Sequence, residues 1–309
     1  MSALGMIVLV GLFLSPRVTT LAQPAPPIVD LHFHPSTAWD AGALITLFDR
    51  IGVTAAGNGP AGPDSIGFGF GRSHPTRFFP FCGLGEITHW LNTEGDRTWS
   101  LSGQGITSYL SKLEVLLRAG QCKGIGELFP NNLRSHGIDF PGFRYPVDSP
   151  MMRRLWEFSA KYHAPLSVHA EADSPTVGEM ERLLDLSPTG VFIWAHTGFY
   201  AEPPLLRGLF QKHPNLFCEL SWRDERRMSI NRPVSLARKL RPEWQELFES
   251  FSDRFVIGTD VDPNRPSLQT YEELIGYWRE MLGQLSHDTA EKIAHQNAER
   301  ILRLSPSTK

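Results

Sequence analysis

The feature that most constrains this chain is an alternation of short apolar runs with longer amphipathic ones, sustained from end to end. Eight runs have the length and β-branched or aromatic character of buried strands: Ile28–His32, Val53–Ala56, Arg77–Leu84, Cys122–Leu128, Pro165–His169, Val191–Ala195, Leu216–Leu220 and Arg254–Gly258. Between most of them the apolar residues recur at three- and four-residue spacing, as in Leu44, Leu47, Phe48 and Ile51. That spacing predicts helices over 40–51, 106–119, 148–163, 176–186, 203–213, 241–251, 268–282 and 289–302. Strand–helix alternation argues a parallel sheet, and eight such units within 309 residues predict a single-domain (β/α)8 TIM barrel over 28–309. An open doubly wound sheet is the alternative architecture. The glycine-patterned turn that marks its dinucleotide-binding form does not follow the first strand. Two stretches read as loops: Gly57 to His74, whose Gly67–His74 part predicts a flexible lid over the barrel mouth, and the polar run from Leu84 to about Gln104.

The first residues read differently. Leu4 to Leu14 is almost wholly apolar and is followed by small and polar residues, which predicts a signal peptide over 1–22 with cleavage after Ala22 and a proline-rich leader over 23–27. The apolar run is too short to favour a spanning helix, which needs about 20 apolar residues. The expectation is a periplasmic or secreted protein with no membrane contact after cleavage. The rest has ordinary globular composition, and a formal net charge of −3 with no basic run gives a nucleic-acid partner no electrostatic support. Cys82, Cys122 and Cys218 are too few for a disulfide framework and read as buried small hydrophobes. A Cys82–Cys122 bridge is open if their strands are neighbours.

In a barrel of this kind functional groups sit at the C-terminal ends of the strands. The first run ends in His32-Phe33-His34, and residues two apart on an extended segment share a face, so the imidazoles project together as half of a metal site. The fourth run ends in Glu127, the fifth in His169, the sixth in His196, and Asp260 follows the eighth. Any one of these is unremarkable as a cap or a solvated residue. Six metal-competent side chains at five strand ends require five coincidences if they are unrelated.

The segments Val29-Asp-Leu-His32-Phe-His34-Pro35, Gly124-Ile-Gly-Glu127-Leu128, His169-Ala-Glu171, Trp194-Ala-His196-Thr-Gly198 and Ile257-Gly-Thr-Asp260 also carry a resemblance. In this order the chain resembles the amidohydrolase superfamily, and more narrowly its amidohydrolase-related (amidohydrolase 2) family of TIM-barrel metal-dependent hydrolases. The closing segment Asn297-Ala-Glu-Arg300-Ile-Leu302 is similar to that family's last helix. The resemblance implies a divalent metal, zinc first and manganese or another as alternatives, held by His32, His34 and Asp260. It implies that Glu127 bridges to a second metal held with His169 and His196, a TatD-like arrangement. In one-metal members His169 completes the first site and His196 stands behind it. Asp260 is expected to take a proton from the attacking water, and His196 to stabilise charge on the substrate oxygen.

The expected activity is therefore hydrolysis of a small-molecule ester, lactone or amide. The alternatives are a metal-dependent decarboxylase of the same superfamily, a TatD-like phosphoesterase and a non-catalytic metal-binding barrel. Arg72, His74, Asn131 and Arg134 are candidate substrate contacts, the asparagine and its neighbours for an anionic group. Arg223, Arg226 and Arg227 read as a surface charge cluster. The sequence names neither substrate nor oligomeric state.

Overall fold

The computed structural model describes residues 25–133, 142–227 and 231–306. The signal segment and Arg134 lie outside the described residues. Eight parallel strands are present: β1 (Ile28–Asp30), β2 (Val53–Ala56), β3 (Phe81–Gly83), β4 (Gly124–Leu128), β5 (Leu166–Val168), β6 (Phe192–Trp194), β7 (Leu216–Glu219) and β8 (Phe255–Val256). β3 through β8 form one continuous sheet, and β1 pairs with β2. Two links close the circle. Ala56 bridges Phe78 just ahead of β3, and past β8 the Leu31 amide donates to Ile257 O at 2.9 Å while the Asp260 amide donates to His32 O at 2.7 Å. The barrel read from the sequence is the fold observed.

The interior is filled by Val29, Leu31, Ala55, Phe79, Phe81, Ile193, Phe217 and Val256, and closed below by Ala298, Ile301 and Leu302 of the last helix (Asn297–Leu302). A larger apolar layer joins the outer faces of the strands to the helices, including Trp156, Trp194, Trp244 and Trp278. Trp194 packs in that outer layer, its indole N–H donating to Ala170 O. Cys82 and Cys122 form a disulfide, Cα to Cα 5.7 Å, while Cys218 is free and buried.

Helix α1 (Ala41–Ile51) starts where Asp40 accepts hydrogen bonds from the Gly42 and Ala43 amides, and ends at Gly52 with φ 72°. The two stretches read as loops are largely helical. Residues 64–73 form helix α2 (Asp64–Ser73), despite three glycines that each cost about 1 kcal/mol in a helix. Packing overrides that cost. Gly67 and Gly71, one turn apart, bring bare backbone against Pro80, and Phe70 packs edge-on against Phe78 at 5.1 Å. The Gly67–His74 segment is thus a wall of the barrel, not a flexible lid. The polar run after Leu84 folds as α3 (Leu84–Glu94) and the short α4 (Asp96–Trp99), and Glu94 then caps the next helix, α5 (Gln104–Arg118), through the Gly105 and Ile106 amides.

Helix α2 also has a direction that matters for function. Asp64 at its start accepts from the Gly83 amide at the C-terminal end of β3, and its last turn leads into Arg77, whose guanidinium bonds Val53 O and Thr54 O at the start of β2. The helix therefore runs from the mouth of the barrel to its foot. Arg72 and His74 sit at the foot, away from the strand ends, which corrects their reading as substrate contacts.

Candidate metal centre

The regular part of β1 stops at Asp30, and His32 and His34 project from the extended segment beyond it. Phe33 turns the other way into an aromatic cluster with Trp39, Phe48, Phe78 and Tyr271. Asp30 anchors the segment. Its buried carboxylate accepts from the His32 and Thr259 amides and from the hydroxyls of Thr259 and Tyr271, joining the strand-one end to the strand-eight end.

All six strand-end groups converge. His32 Nε2 lies 3.1 Å from His34 Nε2, 3.2 Å from Glu127 Oε2 and 3.8 Å from Asp260 Oδ1. His34 Nε2 is 3.4 Å from both Glu127 Oε2 and Asp260 Oδ1. On the other side, Glu127 Oε1 is 3.1 Å from His196 Nε2 and 3.4 Å from His169 Nδ1, and those two nitrogens are 3.2 Å apart. Glu127 thus divides the cluster into two halves, one carboxylate oxygen to each. The halves are His32, His34 and Asp260 on one side, His169 and His196 on the other.

The outward-facing nitrogens fix what faces inward. His34 Nδ1 donates to the Gly59 carbonyl at 2.7 Å, so its Nε2 carries a lone pair in the neutral ring. His32 Nδ1 lies 2.6 Å from the Glu219 carboxylate. Ser221 gives its hydroxyl proton to Glu219 at 2.8 Å, so its oxygen accepts from His196 Nδ1, also at 2.8 Å. Three imidazoles therefore present Nε2 lone pairs to a carboxylate. Glu127 Oε1 is buried with no hydrogen bond, between His196 and His169. With the rings neutral, these lone pairs and anionic oxygens repel in a dry site unless a proton or a metal ion lies among them, and imidazole and carboxylate suit a divalent first-row metal. The donor set fits such an ion.

Proton affinities follow the same logic. Burial works against the His34 cation, but Asp260 and Glu127 outweigh it and push the ring up to about 9. His32 is likewise raised against its burial by Glu127, Glu219 and Asp260. His196 has fewer anions near it, and burial pushes it down to about 4. Burial favours the neutral form of Asp260, yet His32 and His34 hold its carboxyl below the ordinary value. Glu127 is depressed in the same way, its burial outweighed by the surrounding histidines.

Several residues around the centre are either absent from the sequence reading or given another role there. Glu219 ends β7, so the strand-end rule that found the others also points to it. Trp222 donates its indole N–H to Asp260 Oδ2. Arg227 stacks over Trp222 at 5.0 Å and donates to Thr259 O and Asp260 O. Phe199 lies 4.5 Å from the His196 ring and 4.8 Å from the His169 ring. Arg223, read as part of a surface cluster, is fully buried and donates to the carbonyls of His196, Thr197, Ala201 and Asn231. Those bonds hold the left-handed turn at His196 and Thr197 (φ 55° and 50°). Asn131 is also a framework residue. It donates to Thr176 Oγ1 and accepts from the Glu171 amide, which commits the amide that was read as an anion contact.

A family model described as Amidohydrolase matches residues 29–304. No curated protein matches the chain. Among solved structures, an uncharacterized TIM-barrel protein from Bordetella bronchiseptica superposes with a TM-score of 0.60 at 15% identity, covering 90% of this chain and 99% of that one. A dihydroxybenzoic acid decarboxylase from a Polaromonas species, with bound manganese and 2-nitroresorcinol, gives 0.56 at 12% identity over 91% and 98%. A probable 2-pyrone-4,6-dicarboxylic acid hydrolase from Acinetobacter baumannii, with citric acid bound, gives 0.52 at 12% identity over 89% and 99%.

Proposed function

The chain belongs to the amidohydrolase family, and from that premise we propose that it is a metal-dependent hydrolase acting on a small ester, lactone or amide. His32, His34 and Asp260 are the residues to hold one divalent ion, zinc or manganese, with Glu127 bridging to a second held by His169 and His196. When bound, such an ion supplies Lewis acidity, polarising a substrate oxygen and making water acidic enough to ionise near neutral pH. The manganese bound by the Polaromonas neighbour supports a divalent metal.

The observation that carries the reading is the state of Asp260. His32 and His34 hold its carboxyl below the ordinary pKa, its Oδ2 is fixed by the Trp222 indole, and its side chain is 16% exposed where His32 and Glu127 are sealed. A fixed, reachable carboxylate accepts a proton from water, and the carboxyl so formed delivers that proton to the leaving group. Decarboxylation, the second reading and the reaction in the Polaromonas neighbour's name, needs a proton donor to carbon from the start. A carboxyl held below its ordinary pKa is unprotonated at rest and has no proton to give at that point. His196 is assigned as a ligand and not as an oxyanion donor, because its Nδ1–H is committed to Ser221 and its Nε2 faces Glu127. The absence of a basic run argues against a nucleic-acid phosphoester. The Cys82–Cys122 disulfide supports export to an oxidising compartment.

The test is a panel of esters, lactones, amides and phosphoesters, together with aromatic carboxylic acids, assayed with zinc- or manganese-loaded protein. Chelator-sensitive hydrolysis that falls by roughly 10²–10⁴ in Asp260→Asn, with the metal content retained, is the expected result. Release of CO2 without hydrolysis on any member of the panel refutes the assignment.

A further inference from the structure

We propose that Glu219 is a positioning residue that orients both halves of the centre through a single buried carboxylate. The inference rests on the metal-centre reading above. The side chain of Glu219 is 1% exposed, and every polar group that meets it is a donor. Its Oε2 accepts from His32 Nδ1 at 2.6 Å, from Ser221 Oγ at 2.8 Å and from the His196 amide at 3.1 Å; its Oε1 accepts from the Ser221 amide. One branch reaches the first half directly, locking the His32 ring with Nε2 inward. The other reaches the second half through Ser221, whose oxygen accepts from His196 Nδ1. The backbone makes room for the carboxylate at Gly258, where a Cβ would lie 2.1 Å from Glu219 Oε1 and 2.5 Å from His32 Cβ. A glycine is therefore required at the strand-eight end to let a strand-seven side chain pass behind His32.

A carboxylate is the only side chain of this length that offers acceptors alone. Glu219→Gln removes the charge that both branches share and turns one oxygen into an NH2 that confronts a donor, the Ser221 amide at Oε1 or His32 and the His196 amide at Oε2, so both branches weaken. Carboxylates behind metal-bound imidazoles typically govern 10–100-fold in metal affinity. Ser221→Ala removes the branch to His196 and a long 3.3 Å contact of the hydroxyl with His32 Nδ1, and leaves the 2.6 Å His32–Glu219 bond in place. The two variants therefore separate orientation from general stability.

The experiment titrates metal-free protein with zinc by calorimetry, counts bound zinc after equilibrium dialysis, and records ring ¹⁵N spectra of the zinc-loaded histidines. Wild type binding two ions, Ser221→Ala weakening one site about tenfold with the other unchanged, and Glu219→Gln weakening both, are expected, with the His32 Nδ1–H resonance lost only in Glu219→Gln. Equal loss at both sites in Ser221→Ala, or wild-type affinities in a folded Glu219→Gln, overturns the positioning role. Should Glu219→Gln fail to fold, the Ser221→Ala split alone decides. A wild-type chain that binds no zinc or manganese at all refutes the metal-centre reading itself, and the positioning role falls with it.

Discussion

Replacing Glu127 by Gln is the sharpest test of the divided centre. In the native chain its two oxygens face different histidine pairs, at 3.2 and 3.4 Å on one side and 3.1 and 3.4 Å on the other. The amide is nearly isosteric, so packing is preserved while one oxygen becomes a nitrogen without a donor lone pair and the negative charge disappears. A unit charge pair about 4 Å apart is worth about 4 kcal/mol at an effective dielectric constant of about 20, which is roughly a thousandfold in Kd. A divalent ion loses at least that much. One half keeps an oxygen and two or three other protein ligands; the other keeps two imidazoles and an NH2. The expected result is one tightly held ion per chain in place of two, measured by elemental analysis after dialysis at defined free metal, with the weaker site shifted by three decades or more in calorimetry. Two ions per chain at unchanged affinity in Glu127→Gln refute the bridging geometry.

Metal uptake must displace the proton that His34 carries below about 9. Apparent affinity therefore rises with pH by up to about one decade per unit for each proton displaced, levelling off above that value, and proton release measured in buffers of different ionisation enthalpy checks it. In the metal-free chain the same raised pKa stabilises the fold below the ordinary imidazole value of 6.5, and that contribution is lost as pH rises to about 9, which urea unfolding at several pH values reads directly. The disulfide closes a loop with a sequence separation of 40. On the chain-entropy relation its removal in Cys82→Ser/Cys122→Ser costs about 4 kcal/mol in denaturant unfolding, and thiol titration of the denatured wild type should find a single thiol, that of Cys218.

The barrel and the six convergent side chains were legible because both rest on strong, local signals: apolar runs of strand length, and charged or imidazole groups where those runs end. What escaped has a physical reason in each case. Helix α2 was hidden by glycines whose low propensity is overridden by contact with Pro80, a tertiary fact. The polar residues of α3 masked an apolar stripe at Leu84, Ile87 and Leu91, of which Ile87 is buried. Glu219 sits in an apolar strand, Leu-Phe-Cys-Glu-Leu, where its burial depends on donors from two other segments, at His32 and His196, and on Ser221 two residues on. Arg223 is buried against carbonyl oxygens rather than a carboxylate, so no charge partner marks it in the sequence. Arg72 and His74 were misplaced because a loop has no direction, whereas the helix that replaces it carries them from the mouth to the foot of the barrel.

The two halves of the centre differ in how a substrate can meet them. His169 and His196 are covered by Phe199, and His169 also by Phe129 at 4.6 Å. Their half faces aromatic carbon, which leaves no room for polar competition and explains why His196 is held neutral by burial. The other half opens at Asp260, with Trp222 on its Oδ2 and Arg227 stacked behind the indole, 4.0 Å from the same oxygen. On the proposed hydrolase reading a substrate carbonyl would arrive on the Asp260 side, beside the carboxylate that can take the proton, with the aromatic side ordering the ligands and excluding water. Division of labour of this kind requires that Glu127 face both halves and that Glu219 hold both from behind. In the barrel each depends on a glycine: Glu127 follows Gly126, whose φ of 124° favours glycine, and Glu219 lies opposite the missing side chain of Gly258.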